Sequence, residues 1–336
     1  FIRKFSELPE MKTDFELASG LVDAETEQRL RKHALRCAGC GAKVASQTLH
    51  SVLAELPAAE KVAAKADDAA IIDLDEQRVL VQSVDFLKAF VNDPWLFARI
   101  ATNHALSDIH AMGLCAQSAQ VMVGLPPASP ELAKAQLGEL MQGCGEVLAA
   151  EQCELVGGHS AEADSLQFGL CVNALAPRQA ILHKTGLTTG DVLVLTKPLG
   201  TGTLLAADMR YRARHQWMQD AFSSMLLSNR DAGAIAVRYQ ASACTDITGF
   251  GLAGHLLEML ANGVDVELDL DTVPVLDGAL DCLRADITSS LHHDNSTASA
   301  FVDFGTRSLS DPRVQLLFDP QTAGGLLFGV PAASAE

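Results

Sequence analysis

The sequence predicts a mixed α/β (α+β) protein built from two domains. The chain has 336 residues, of which 48% are hydrophobic, so it can bury a substantial core and its length fits two domains better than one. From about Lys65 onward, strand-like apolar runs alternate with long amphipathic helical segments. A stretch rich in Gly and Thr, HKTGLTTGD, interrupts this alternation, and we place the domain boundary near residues 177 to 188.

The first domain is expected over residues 65–180. Its strands are predicted in RVLVQSV, SAQVMVGL, CELVGG and LQFGLCVNALA. A helix is predicted from Pro94 to Met112, because Pro is tolerated in a first turn and Gly113 fits a helix end. A second helix is expected after Pro130. These elements predict a sheet covered by helices.

The second domain is expected over residues 188–336, beginning with the strand DVLVLTK. Helical sequence follows around Trp217 to Tyr239 and from Phe250 to Asn262, with further strands in VDVELDL and GLLFGV. The sequence stops soon after that last strand, so we expect this domain to be truncated. Before the first domain, residues 1–36 are interpreted as a linker or the tail of a preceding domain. Residues 37–64 are interpreted as a flexible segment that carries a Cys and a Lys.

Composition excludes several classes of protein. The formal net charge of -17 would repel a phosphodiester backbone, so no nucleic-acid partner is expected, and any bound nucleotide needs cations supplied locally. No apolar run reaches the roughly 18 to 20 residues of a membrane span, so no membrane partner is expected. Eight cysteines in such a long chain are not a dense disulfide framework. We therefore expect a cytoplasmic protein.

Aspartates stand at the ends of predicted strands. Asp67 and Asp68 open the apolar run AAIIDL, where a turn is the commoner reading of such a pair, by about two to one. Asp85 ends the strand RVLVQSV, and α/β folds often present a side chain to a ligand from that position. Carboxylates so far apart in sequence converge only in a folded site. A divalent cation that carries a polyphosphate is the ligand that best suits them.

Two further aspartates lie on a helix or at the start of one. Asp108 lies in SDIHAMG on the first predicted helix, with His104 one turn before it on the same face. An isolated His in such a place is more often a hydrogen-bonded neighbour than a metal ligand. Asp246, in TDITGFG, lies between a short strand and a glycine-rich helix start. It is either a metal ligand or a helix cap.

Gly157 and Gly158 follow the strand CELV. They allow close approach of the backbone to an anion, or they form a tight turn. The sequence contains neither GxxxxGK[ST] nor a GxGxxG after a strand. Neither a P-loop nor a Rossmann site therefore accounts for a nucleotide.

Cys37 and Cys40 form a CxxC motif, which is typical of a redox pair or half of a zinc site. Zinc would need two further ligands, and no second CxxC exists. Cys40 is also close to Lys43, whose ammonium group favours the thiolate. Such a thiolate can be a nucleophile or carry a soft atom, while Lys43 can clamp a phosphate.

Eight motifs taken in order resemble those of the selenophosphate synthetase (selenide, water dikinase) family, over about residues 37 to 330. They are GCGAK, DDAA, SVDF, NHALSDIHAMG, VGGHS, LTKPLGTG, TDITGFGLAGH and DPQTAGGLL. The resemblance implies a two-domain fold of the aminoimidazole-ribonucleotide synthetase (PurM-like) type with mixed sheets, working as a homodimer. It also implies that ATP, selenide and water are converted to selenophosphate, AMP and orthophosphate, with Mg²⁺ as cofactor.

The resemblance also implies roles for individual residues. Cys40 and Lys43 match the catalytic pair, and Asp68, Asp108 and Asp246 match the magnesium ligands. The positions that match ATP contacts are Lys43, Lys65, Ala66, Asp67, Asp85, Asp108, Gly157, Gly158 and His159.

The chain departs from the family pattern at some positions. Ala42 stands where some members have a second Cys, so either one thiol suffices or Cys37 substitutes for it. The stretch SSLHHDNSTASAF also differs from the pattern of some members. The leading FIRKFSELPEM resembles the tail of a flavin-dependent oxidoreductase domain, as in fused forms of the enzyme.

Two other functions compete with this interpretation. One is another ATP enzyme of the same fold, such as a hydrogenase-maturation, purine-pathway or thiamin-phosphate kinase protein, against which the Cys-Gly-x-Lys segment argues. The other is a redox or metal-binding module that uses Cys37 and Cys40.

Overall fold

A computed structural model describes residues 37–44, 46–55, 67–260 and 263–335, and every structural statement below concerns these residues. The predicted leading segment 1–36 lies outside them, as do Lys65 and Ala66. The first described elements are a 3-10 helix, Gly39–Ala42, and helix α1, Ser46–Ala54.

A five-stranded sheet follows, and its strand order is β1-β2-β5-β3-β4. Neighbouring strands are antiparallel except β3 and β4, which are parallel. The sheet is therefore mixed, as predicted. Its strands are β1 Ala70–Asp73, β2 Arg78–Lys88, β3 Ser118–Leu125, β4 Glu154–Glu162 and β5 Gln167–Pro177.

Two long helices, α2 Pro94–Ala111 and α3 Pro130–Glu151, accompany this sheet. Helix α2 begins where its sequence predicts, since Asp93 accepts a hydrogen bond from the amide of Leu96 at 2.9 Å. It ends one residue before the predicted Met112. Residues along almost its whole length are buried, because other elements pack on both sides of it. Helix α2 is thus the central element of the described structure.

A second sheet has three antiparallel strands in the order β6-β8-β7. The strands are β6 Asp191–Leu195, β7 Ala243–Asp246 and β8 Leu326–Pro331. Its helices are α4 Thr201–Met209, α5 His215–Leu226, α6 Arg230–Arg238, α7 Gly251–Met259, α8 Ala279–Arg284, α9 His292–Asn295 and α10 Pro312–Leu316. Among the helices of the described ranges, none combines the length and apolar character that a bilayer crossing requires.

The structure divides the helical sequence around Trp217 to Tyr239 into α5 and α6. Asn229 lies at the break, and its side chain donates to Ser107 Oγ at 2.9 Å and to the carbonyl of Gly324 at 2.8 Å. These two hydrogen bonds hold Asn229 at the break between α5 and α6, so the two segments do not form one continuous helix.

The strand predicted in VDVELDL is wrong. Residues 264–270 alternate between partly buried apolar and exposed acidic side chains, but they belong to no sheet. Alternating apolar and polar residues indicate which side of an extended segment is buried. A β-strand also needs a neighbouring strand with which to form hydrogen bonds.

Candidate active site

Five predicted site aspartates line one cleft of about 390 Å³. They are Asp67, Asp68, Asp85, Asp108 and Asp246. These aspartates reach the cleft from several different elements. Asp67 and Asp68 immediately precede β1, Asp85 lies on the α2-facing side of β2, Asp108 lies on α2, and Asp246 ends β7. Both sheets and the central helix therefore contribute to the cleft.

Asp68 is held from two sides. Its Oδ1 accepts a hydrogen bond from Thr245 Oγ1 at 2.9 Å and lies 3.4 Å from Lys184 Nζ, while its Oδ2 is buried without a hydrogen-bond partner. Burial raises the pKa of Asp68 to about 8, the charge of Lys184 opposes this rise, and Asp246 adds to it. Burial therefore favours the protonated form of this carboxylate.

Asp108 and Asp246 are in a similar electrostatic position. Burial raises the pKa of Asp108 well above its ordinary value, and the charge of Asp246 raises it further. Burial also raises the pKa of Asp246, whose Oδ2 is buried without a hydrogen-bond partner. Ser83, on β2, donates its hydroxyl proton to Asp108. The three carboxylates therefore repel one another in their ionised forms.

This donor set fits a hard divalent cation. Carboxylate oxygens are the ligands that Mg²⁺ prefers, and the two partnerless oxygens on Asp68 and Asp246 offer coordination positions. Among the described residues, no three or more acidic, His or Cys side chains already form a metal cage. Ser83 and Lys184 instead contact the carboxylates that a cation would bind. These contacts leave Oδ2 of Asp68 and Oδ2 of Asp246 open to a cation.

Two lysines line the cleft. Lys43 Nζ lies 3.7 Å from Asp85 Oδ1, and Lys184 Nζ lies 3.2 Å from Glu258 Oε2. Burial alone would lower the pKa of Lys184, but Asp68 and Glu258 outweigh it and raise that pKa. The buried His255 is neutral at pH 7, because burial, with Lys43 and Lys184 nearby, lowers its pKa to about 3. Lysines are thus the cations available to a phosphate here.

The segment that bears Cys40 lies close to the cleft. Gly39 has a positive φ of 61°, and a Cβ there would stand 3.0 Å from Thr322 Oγ1 and 3.1 Å from Phe90 Cδ1. The 3-10 helix that begins at Gly39 leads to Lys43 at the cleft. For Cys40 the structure describes the backbone alone, so the role of its thiol stays a prediction.

The chain does not bring Gly157, Gly158 and His159 to this cleft. They lie on β4, at the sheet edge opposite β1, and two strands separate them from β2. A Cβ at Gly158 would meet the carbonyl of Val121 at 2.4 Å, which gives this glycine a packing role in the sheet. The predicted contact of these residues with ATP stays a prediction.

Sequence reasoning missed several polar residues of the cleft. Lys184 had a usable signal, since it is a basic residue at the predicted domain boundary of an acidic chain that needs local cations. Ser83 and Thr245 each adjoin or lie near a predicted aspartate, but nothing in the sequence tells which carboxylate they bond. The missed residues are Gln82, Ser83, Lys184, Thr248, His255 and Glu258, which line the cleft, and Thr245, which bonds Asp68.

A cavity of about 690 Å³ lies elsewhere, beside β6 and residues 264–274. It is larger than the carboxylate cleft but contains none of the predicted site residues. Volume alone therefore does not identify the site, and the buried acids are the better guide.

Comparison with protein families gives two adjoining matches. Residues 66–176 match the N-terminal domain of AIR synthase related proteins, and residues 188–336 match the C-terminal domain. The matched ranges cover most of the chain.

Curated relatives are identical to this chain at more than a third of the aligned residues. The selenide, water dikinase of Nitrosomonas eutropha is 37% identical over 312 residues, which span 88% of this chain and 87% of the relative. That of Trichlorobacter lovleyi is 38% identical over 312 residues, which span 90% and 88%. That of Pelobacter propionicus is 37% identical over 306 residues, which span 89% and 87%.

Solved structures share the fold at lower identity. AaThiL complexed with AMPPCP and TMP superposes with a TM-score of 0.63 at 18% identity, covering 87% of each chain. The hydrogenase maturation protein HypE in complex with ATP superposes with a TM-score of 0.55 at 16% identity, covering 88% of this chain and 80% of the other. At these identities the likeness is one of fold.

Proposed function

Since this chain belongs to the AIR synthase related family, and within it to the selenide, water dikinases, we propose that it makes selenophosphate from ATP, selenide and water. AMP and orthophosphate are the other products. The predicted fold class, two AIR synthase-like domains with mixed sheets, is confirmed. The chain is an enzyme of the kinase type.

One observation carries the proposal most directly. Buried carboxylates from β2, α2, β7 and the approach to β1 share one cleft with two lysines. Burying so many acids together is unfavourable unless a cation joins them. This arrangement of carboxylates and lysines suits an ATP-dependent phosphoryl transfer, because charge neutralisation and positioning supply most of the acceleration of that reaction.

Asp68, Asp108 and Asp246 are proposed to hold Mg²⁺. Bound there, Mg²⁺ supplies charge neutralisation to the phosphates of ATP. Thr245 holds Asp68 and Ser83 holds Asp108, so both carboxylates are oriented before a ligand arrives. Asp67 and Asp85, together with Lys65 and Ala66, are proposed to contact ATP.

The reaction proceeds in two balanced steps. Hydroselenide attacks the γ-phosphorus, a selenium–phosphorus bond forms, and ADP leaves. Water then attacks the β-phosphorus of ADP, which releases orthophosphate and AMP. Lys43 stabilises the transferring phosphoryl group, and Cys40 delivers or retains selenium as hydroselenide, without a change of oxidation state, before the first step.

We also propose a homodimer. The face of the five-stranded sheet away from α2 exposes Ile72, Val84, Phe86 and Leu175, each by more than two fifths. We propose that this face is the dimer interface. Val84→Asp should give a monomer in analytical ultracentrifugation, whereas an unchanged mass would contradict this interface.

Two finer predictions concern the cell. A cytoplasmic location is supported by the seven described cysteines, all of which are free, as in a reducing compartment. Cell fractionation tests it. A preceding flavin-dependent oxidoreductase domain stays a prediction from the leading residues, and flavin absorbance of the protein purified from its natural source tests that.

Phosphorus NMR of the purified chain with ATP, Mg²⁺ and selenide tests the proposed function. Selenophosphate, AMP and orthophosphate should appear in equal amounts. Accumulation of ADP without selenophosphate would instead indicate a different kinase of this fold. Bound zinc without ATP turnover would support the redox or metal-binding alternative.

A further inference from the structure

His104 is a buried residue of α2 that the proposed mechanism leaves without a role. Its side chain is fully buried, and its two ring nitrogens face different parts of the molecule. The amide of Ala323 donates to Nδ1 at 3.3 Å, while Nε2 lies 3.5 Å from Asp85 Oδ2. An amide N–H is only a donor, so Nδ1 is the unprotonated nitrogen. Nε2 therefore carries the proton, and it lies at ion-pair distance from Asp85 Oδ2.

This contact divides the two oxygens of Asp85 between two partners. Oδ2 faces His104, and Oδ1 lies 3.7 Å from Lys43 Nζ. A carboxylate free to rotate about its last bond would offer Lys43 a range of positions. One oxygen lies beside the buried imidazole, so the other is turned toward the lysine.

Ala323 is itself held in place behind the imidazole. Its carbonyl accepts a hydrogen bond from the buried Lys197 Nζ at 3.0 Å. Its φ is 48°, a left-handed conformation that residues other than glycine adopt at a cost. This conformation lets one residue present its N–H to His104 and its C=O to Lys197. The imidazole thus rests on a fixed donor.

We propose that His104 is a positioning residue, which orients Asp85 and, through it, Lys43 for phosphoryl transfer. The proposal rests on the proposed function of the cleft. A positioning role depends on the hydrogen-bond donor at the Nε2 position of His104. A purely structural role would depend instead on the volume that the buried side chain fills and on the hydrogen bond from Ala323.

Two substitutions separate these requirements. In His104→Gln the side-chain amide nitrogen can take the place of Nε2 and keep a donor near Asp85. In His104→Asn the amide oxygen can take the place of Nδ1, which keeps the acceptor for Ala323 but loses that donor. We expect the Gln variant to retain kcat within about threefold and the Asn variant to lose about tenfold to a hundredfold, with KM for ATP little changed.

His110→Asn is the matched control, because His110 is also buried on α2 but contacts Glu151, at 3.4 Å. It should keep the wild-type kcat. In an Asp85→Ala background, His104→Asn should have no further effect, because its partner is already absent. A full kcat in His104→Asn, or an equal loss in the Asp85→Ala background, would overturn the proposal. So would losses of kcat in both variants that track their melting temperatures.

Long-range ¹H–¹⁵N correlation spectra of histidine-labelled protein test the geometry without catalysis. The signals that disappear in His104→Gln should belong to an Nε2–H imidazole, and an Nδ1–H imidazole would overturn the proposal. The wild-type product assay stands apart from this result. A wild type that makes no selenophosphate contradicts the proposed function, while the spectrum still reports on His104.

Discussion

Cys37 and Ser290 hold each other through two reciprocal hydrogen bonds. The amide of Cys37 donates to Ser290 Oγ at 3.0 Å, and the amide of Ser290 donates to Cys37 Sγ at 3.4 Å. Cys37 is also almost fully buried, with 6% of its surface exposed. This pair attaches the start of the segment that carries Cys40 and Lys43 to a loop before α9.

An anchoring role for Cys37 predicts a protein without structural zinc. Cys37→Ala should remain folded and active, with kcat reduced a few-fold because the segment is held less firmly. Elemental analysis of the wild type should show no zinc. One zinc per chain, lost together with folding in Cys37→Ala, would instead support the metal-binding alternative.

Asp68→Asn should abolish ATP turnover. The variant removes a carboxylate that we propose as a Mg²⁺ ligand, although Asn can still accept the bond from Thr245. The measurement is AMP release, with Asp73→Asn as the control. Asp73 is exposed, pairs with Arg178 and lies outside the cleft, so its variant should turn over normally. Normal turnover by Asp68→Asn would refute the metal assignment.

Cys40→Ala should stop selenophosphate formation if the thiol handles selenium. The variant should still bind ATP, since no phosphate contact depends on that thiol in the proposed mechanism. Cys115→Ala is the control, because Cys115 is an exposed free cysteine. Phosphorus NMR measures the rate of selenophosphate formation. A full rate in Cys40→Ala would show that the cysteine takes no part in the mechanism.

Gly39→Ala should lower kcat without unfolding the protein. The new methyl group would press on Thr322 and Phe90, and the positive φ adds about 1 to 2 kcal/mol of strain, which detachment of the short 3-10 helix would relieve. Gly138→Ala in α3 is the control, where a Cβ meets nothing within 4 Å and helix propensity should raise stability by about 1 kcal/mol. Equal kinetics for both variants would show that the position of this segment does not limit the rate.

Titration of Asp319 should make part of the free energy of unfolding depend on pH. It is fully buried, and burial raises its pKa from 3.8 to about 6, although the bond from Thr203 opposes the rise. The folded state therefore holds this proton more tightly than the unfolded state. The resulting stabilisation is complete below about pH 3.8 and is lost as pH rises through about 6.

Asp319→Asn removes that titration. Relative to the variant, the wild type should lose about 2 kcal/mol of unfolding free energy between about pH 4 and pH 7, measured by urea denaturation. Asp281→Asn, at an exposed site, should show no such difference. A constant difference between wild type and Asp319→Asn across this range would contradict the assignment.

The sequence predicted those parts of the fold that local signals determine. Helix α2 was predicted to within one residue because Pro94 and Gly113 mark its ends. The segment 264–270 was mispredicted, since the same alternation arises with or without a neighbouring strand. The gathering of Asp68, Asp108 and Asp246 was expected from the family resemblance, which matches them to the magnesium ligands. Their individual partners were not, because Thr245 reaches Asp68 across 177 positions of sequence.

The raised pKa values of the cleft carboxylates have a consequence for the proposed binding of Mg²⁺. Burial raises the pKa values of Asp68, Asp108 and Asp246, so Mg²⁺ held by these residues as we propose would displace hydrogen ions on binding. Acidification therefore competes with magnesium loading, so the enzyme's demand for the metal should grow as the medium becomes more acidic. Calorimetric heats of magnesium titration should vary with the ionisation enthalpy of the buffer.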